Sequence, residues 1–197
     1  MKKLICLVLV MLLCVSAASM AMAVGSKTTT NMTGSTGVVT PTGTAAPEEI
    51  VIAPIAETAG TPEQRAACEK LIEEIASASS LEEVFGELQD SEGEVLDLAE
   101  ILGTDKPVIN EIVPLVVQNY IPTFGSLKSN FTFSTPYQKG EPVVVVIRVV
   151  DPKTGAVKQF TLKGVGNGID GGIELEFPPE VLEEIHSGTA TMAVISK

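Results

Sequence analysis

The sequence predicts an α+β protein in which short acidic helices pack on a C-terminal antiparallel β-sandwich. Three observations carry this prediction. Residues 61–107 show apolar stripes at helical spacing, preceded by capping signals. Residues 108–197 show apolar runs of strand length separated by turn residues. Charge is also segregated: residues 48–111 carry 17 acids against Arg65, Lys70 and Lys106, whereas residues 112–197 hold seven bases and eight acids. At 197 residues and 45% hydrophobic, the chain is long and apolar enough to bury a core.

The N-terminus reads as an export address. Lys2 and Lys3 precede an apolar stretch from Leu4 to about Val15, and small residues end at Ala21-Met22-Ala23. That pattern is a secretory signal peptide over residues 1–23, cleaved after Ala23. Its apolar core falls short of the roughly 20 residues of a transmembrane helix, so no membrane span is expected in the mature chain. Cys14 lies where a lipid attachment site would, but Leu13 is too large for the residue before such a site. The mature chain then has 11 basic and 25 acidic residues, a net charge of −14, and one cysteine. A single thiol makes no internal disulfide, so stability must come from packing. Residues 24–60 form a Thr/Gly/Pro-rich tract, with eight threonines between 24 and 47, and read as a flexible spacer.

The acidic segment, residues 61–107, is predicted to be helical. Thr61-Pro62-Glu63-Gln64 combines a capping residue, a first-turn proline and the glutamine of a capping box. Cys68, Leu71, Ile72 and Ile75 then fall on one stripe, so Cys68 is expected to fill core. Ser80-Leu81-Glu82-Glu83 repeats the capping pattern ahead of Val84, Phe85 and Leu88. Asp90-Ser91-Glu92-Gly93 suits a type I turn. A short helix around Leu98–Leu102 should end at Gly103. A calcium loop starting at Asp90 would need Gly sixth and Glu twelfth, and the chain has Val95 and Ile101 there. The acids are therefore expected on the solvated faces of amphipathic helices.

Six strands are predicted in residues 108–197: Val108–Tyr120 with a break at Pro114, Asn130–Ser134, Pro142–Val150, Val157–Val165, Gly172–Phe177 and Thr189–Ser196. Ile173, Leu175 and Phe177 alternate with Glu174 and Glu176, the mark of a half-buried strand. Val143 to Ile147 is an unbroken apolar run, which predicts cover on both faces. One face would meet a second sheet and the other the apolar stripe of the helices. Pro178 to Gly188 describes a two-turn helix, with Val181, Leu182 and Ile185 inward and His186 in its last turn, where a cation suits the helix dipole.

Motifs for chemistry are sparse. Thirteen bases in an acidic chain argue against a nucleic-acid partner, whose phosphates require Lys and Arg. Gly166-Asn167-Gly168-Ile169-Asp170-Gly171 has the letters of a dinucleotide fingerprint, but a strand follows where a helix must open, so it reads as a hairpin connection. Asn31 and Asn130 begin glycosylation-type triplets that read as chance matches. His186 has no partner histidine or nearby cysteine, and no cofactor, metal or catalytic residue is assigned. Five of eight aromatics lie between 120 and 137. Tyr120, Phe124 and Tyr137 are placed at strand ends or loops and are the candidates for an exposed contact patch.

Several stretches resemble uncharacterised secreted proteins of clostridia-like gut bacteria. They include Leu98 to Leu102 with Gly103-Thr104-Asp105, Thr135-Pro136-Tyr137 with Lys139-Gly140-Glu141, Asp170-Gly171-Gly172-Ile173, and the ending from Phe177-Pro178 to Ala193-Val194-Ile195-Ser196. The resemblance implies a short helical segment before an immunoglobulin-like β-domain, and implies no activity. The leading functional expectation is a secreted, non-enzymatic binding or surface-interaction module for an extracellular protein or glycan. The rivals are an extracellular hydrolase using two carboxylates, and a structural subunit that assembles through strand edges.

Overall fold

In the computed structural model, residues 33–41, 51–54, 61–118, 120, 124–133, 136–168 and 171–197 are described. The proposed signal segment lies outside them. Among the described residues there are eight strands: β1 (Thr33–Pro41), β2 (Val51–Pro54), β3 (Val108–Gln118), β4 (Phe124–Thr132), β5 (Pro142–Val150), β6 (Val157–Gly166), β7 (Ile173–Phe177) and β8 (Thr189–Ser196). Among the described residues four helices accompany them: α1 (Pro62–Ser77), α2 (Leu81–Phe85), α3 (Leu98–Leu102) and α4 (Pro179–Ser187). The class is α+β, as expected.

The strands pair differently from the expected stacked sheets. They form one continuous sheet in the order β1-β4-β7-β6-β5-β8-β3-β2, antiparallel throughout. The sheet curls until Cα atoms of its end strands, β1 and β2, come within 8 Å. Both end strands lie in the tract read as a spacer. That reading is corrected for Thr33–Pro41, which pairs along β4, and for Val51–Pro54, which pairs with β3 from Leu115 to Gln118. β1 has few apolar residues to signal a strand, and β2 is apolar but only four residues long and ends in Pro54.

β5 shows why the curl needs two cores. Val143, Val145, Ile147 and Val149 belong to the core inside the curl, while Val144 and Val146 belong to a second core on the outer face. All six are at most 2% exposed, as the unbroken apolar run predicts. The inner core also takes Phe131, Leu175 and Phe177, and α4 presses Val181, Leu182 and Ile185 into it. The outer core is roofed by the acidic segment. Cys68, Leu71 and Ile75 of α1, Leu81 and Phe85 of α2, Leu88, and Leu102 of α3 pack over Ile109, Ile112, Val144, Val146, Ala193 and Ile195. The helices are thus a layer of the same fold, and Cys68 is buried in it.

Local signals in the sequence set the helix ends. Thr61 and Gln64 close the capping box, with the Gln64 N–H donating to Thr61 Oγ1 and the Thr61 N–H to Gln64 Oε1. Ser80 accepts from the Glu83 N–H, but the Glu83 carboxylate reaches back one residue further, to the Ser79 N–H. Gly103 ends α3 in the left-handed conformation at φ 66°.

Arg148, the one charge in β5, fastens the layer to the sheet. Its guanidinium pairs with Glu74 of α1 at 2.5 Å, donates to the Val84 carbonyl of α2, and lies 5.1 Å from the centroid of the Phe85 ring. Gln159 of β6 accepts from Arg148 Nε and donates to the Phe85 carbonyl at 2.8 Å.

β3 and β4 depart from expectation. β3 runs through Pro114 unbroken; β2 covers only Leu115–Gln118, so Pro114 lies where β8 is the only described neighbour. A register shift between Ile109 and Glu111 puts Ile109 and Ile112 in the outer core and turns Glu111 to the side of Val194 and Val113. β4 begins at Phe124, six residues earlier than predicted, because Ser129 occupies an inward position and breaks the apolar alternation.

Candidate functional site

The three aromatic candidates do not form one exposed patch. Tyr137 is 4% exposed and belongs to the inner core, which corrects its assignment as a contact residue. The loop that carries it folds back on the β6–β7 connection, with the Tyr137 N–H donating to the Gly171 carbonyl at 2.9 Å and the Gly140 N–H to the Gly166 carbonyl at 2.8 Å. Gly166 is required there, because a Cβ would overlap the Gln138 carbonyl oxygen. Tyr120 is half-buried and packs on the inner core, 5.1 Å from the ring of His186 in the last turn of α4. Phe124 opens β4, and its side chain lies outside the described residues. The glycine-rich stretch from Gly166 does join two paired strands, Val165 facing Glu174 and Gly166 facing Ile173.

Polar groups also sit inside the curl. Glu111 and Ser129 are fully buried, and Ser129 Oγ and Tyr137 Oη make no hydrogen bond of normal geometry among the described residues. Burial, with the charge of nearby Glu111, pushes the Tyr137 hydroxyl well above the usual tyrosine range, against a smaller opposing effect of the Asn110 side chain.

A concavity lies in the helical layer. Gly86 ends α2 at φ 66°, Leu88 follows, and the chain then doubles back through a tight hairpin. In that hairpin Gln89 bridges Val95, the Gly93 N–H donates to the Asp90 carbonyl at 3.0 Å, and the Leu96 N–H donates to the Leu88 carbonyl at 2.8 Å. Asp97 then caps α3, accepting from the Glu100 N–H at 3.1 Å. The hairpin holds α2 and α3 apart and leaves between them a groove of about 490 Å³. Leu81, Leu88 and Pro107 form its buried floor, Leu96 and Leu98 its half-buried flanks, and Val95 is 56% exposed beside it. Glu82, Glu87 and Asp97 stand on its exposed margin.

The charges around the groove are unevenly answered. Asp90 is taken up by its own turn: Oδ1 accepts from the Glu92 and Glu94 N–H groups, and Oδ2 meets Lys163 of β6 at 3.0 Å. The Lys163 contact first, and the turn N–H groups after it, hold this carboxyl below its ordinary value. The other ion pairs among the described residues use Glu74, Glu176 and Glu184, and none involves Glu82, Glu87 or Asp97.

The acids of this site were visible in the sequence; its concavity was not. Val95 stands alone among acids and glycine, and Leu96 and Leu98 follow at the wrong spacing for one helix. That irregularity was the available signal. Among the described residues no three metal-ligating side chains converge, and no helix is long and apolar enough to cross a membrane. Comparison with known proteins returns no family model, no curated protein and no solved structure that matches the chain.

Proposed function

We propose that this is a secreted, non-enzymatic binding module whose recognition face is the helical layer. The observation that carries the reading is the groove between α2 and α3: an apolar floor with an exposed Val95 and three carboxylates that no cation among the described residues meets. Val95, Leu96 and Leu98 keep apolar surface in contact with water, and a partner that covers it gains that burial. The immunoglobulin-like resemblance would put recognition in the loops at the strand ends. Of the aromatics nominated there, Tyr137 is buried and Tyr120 half-buried, which favours the helical layer.

The test is retention of the purified mature chain, residues 24–197, on immobilised mucin, cell-wall polymer, glycans and matrix proteins. Saturable binding to at least one surface is expected, weakened when Ala99 in the groove wall is replaced by Lys. Binding to none of them, or binding that A99K leaves unchanged, would overturn the proposal.

A further inference from the structure

We infer that the groove between α2 and α3 takes a cationic polypeptide segment, an aliphatic or aromatic anchor flanked by Lys or Arg. This rests on the groove being the recognition face and adds the chemistry of its occupant. The floor calls for an apolar side chain, because Leu81, Leu88, Leu96 and Leu98 offer carbon and no side-chain hydrogen-bonding group. The margin then decides what may flank that anchor. Seating any segment draws Glu82, Glu87 and Asp97 away from water, and a carboxylate losing water without a cation is strongly unfavourable.

Among the described residues no ion pair answers these three carboxylates. Residues 61–107 contain 13 acids and three bases, Arg65, Lys70 and Lys106. The cations of the sheet that reach this layer are committed elsewhere, Arg148 to Glu74 and Lys163 to Asp90. The occupant must therefore bring the positive charge. An anionic polymer would add repulsion to the same desolvation. The groove is open along its margin, where Glu82, Gly86, Glu87, Val95, Asp97 and Ala99 are all exposed, so a chain can approach it laterally. The carboxylates stand on both walls, two beside α2 and one at the start of α3, which matches bases on both sides of a central anchor.

The experiment is calorimetric titration of the mature chain with three short synthetic peptides. One has a Leu-Phe pair flanked on both sides by lysines, one the same pair flanked by glutamates, and one an Ala pair flanked by lysines. Only the first is expected to bind well, and its affinity should fall steeply with added salt. The double variant Glu82→Gln with Glu87→Gln should weaken it by up to about tenfold, as two exposed pairs allow. Val95→Ser should weaken it several-fold without changing the salt dependence. Thermal melts of each variant that match the parent exclude loss of fold as the cause. Equal binding of the glutamate-flanked or the Ala-cored peptide overturns the inference, as does indifference to E82Q/E87Q. If no peptide binds while an immobilised glycan or polymer is retained and A99K weakens it, the occupant is wrong and the binding module stands. If neither peptide nor surface binds, both fall.

Discussion

Two hydroxyls mark where single residues matter most. Ser129 Oγ and Tyr137 Oη are buried in the inner core without a hydrogen-bond partner among the described residues. A buried hydroxyl left unpaired carries a desolvation penalty that its removal returns. Ser129→Ala is expected to stabilise the protein by about 1 kcal/mol in urea unfolding, and Tyr137→Phe by less, because the Asn110 side chain lies beside its hydroxyl. Destabilisation of similar size would mean that these hydroxyls are engaged. Asp90 gives the pH dependence. Its carboxyl is held below its ordinary value of 3.8, so its contribution is present above that value and is lost as pH falls through the lower folded value. The stability gap between the parent and Asp90→Asn should be full at neutral pH and close in acid below 3.8. A gap that persists unchanged at lower pH would sink this assignment. At this scale the sequence was readable wherever the determinant is local. The Thr61 cap, the Gly103 stop and the turn at Asp90 each depend on neighbours within a few positions. Tyr137 was misread because its burial depends on Gly171, 34 positions away, receiving its backbone N–H.

Among the elements, α1 packs on β3 and β8, and Arg148 ties both α1 and α2 to β5. Arg148 reaches both helices at once and shares Gln159 with α2, so one side chain joins three elements. Arg148→Met keeps much of the stem but leaves the Val84 carbonyl without that donor. A loss of about 2 kcal/mol is expected in chemical denaturation, with α1 and α2 exchanging amide hydrogens faster. Unchanged exchange in both helices would show that apolar packing alone holds them. The same element shows what periodicity could reveal. The apolar run of β5 announced cover on both faces, and both cores are there. Ser129 and Lys128 interrupt the pattern of β4; β1 is threonine-rich and has few apolar side chains to announce it, and β2 is an apolar run of only four residues that ends in Pro54. Pairing of such segments is set by the strands they meet, which no local window contains.

For the molecule as a whole, β3, β5 and β8 are the shared wall between the two cores. Ile112 faces out and Val113 in, Val144 out and Val145 in, Ala193 out and Val194 in. The helical layer and the curled sheet should therefore unfold together. Ile75→Ala, a cavity in the outer core alone, is expected to cost about 3 kcal/mol and to leave one thermal transition seen equally by helix and strand signals. Two transitions would separate the layer from the sheet. The segregation of charge follows the same division: the acids gather on the layer that roofs the outer core, and the strand-rich half is nearly neutral. Composition exposed that asymmetry, but only the hairpin at Asp90–Gly93 turns it into a groove. The most direct test of recognition through this layer is a methyl-resolved NMR titration of the mature chain with the lysine-flanked Leu-Phe peptide. Shifts should gather at Leu81, Leu88, Val95, Leu96, Leu98 and Ala99, and fade as salt is added. Shifts centred instead on Tyr120 and α4, or none at saturating peptide, would contradict it.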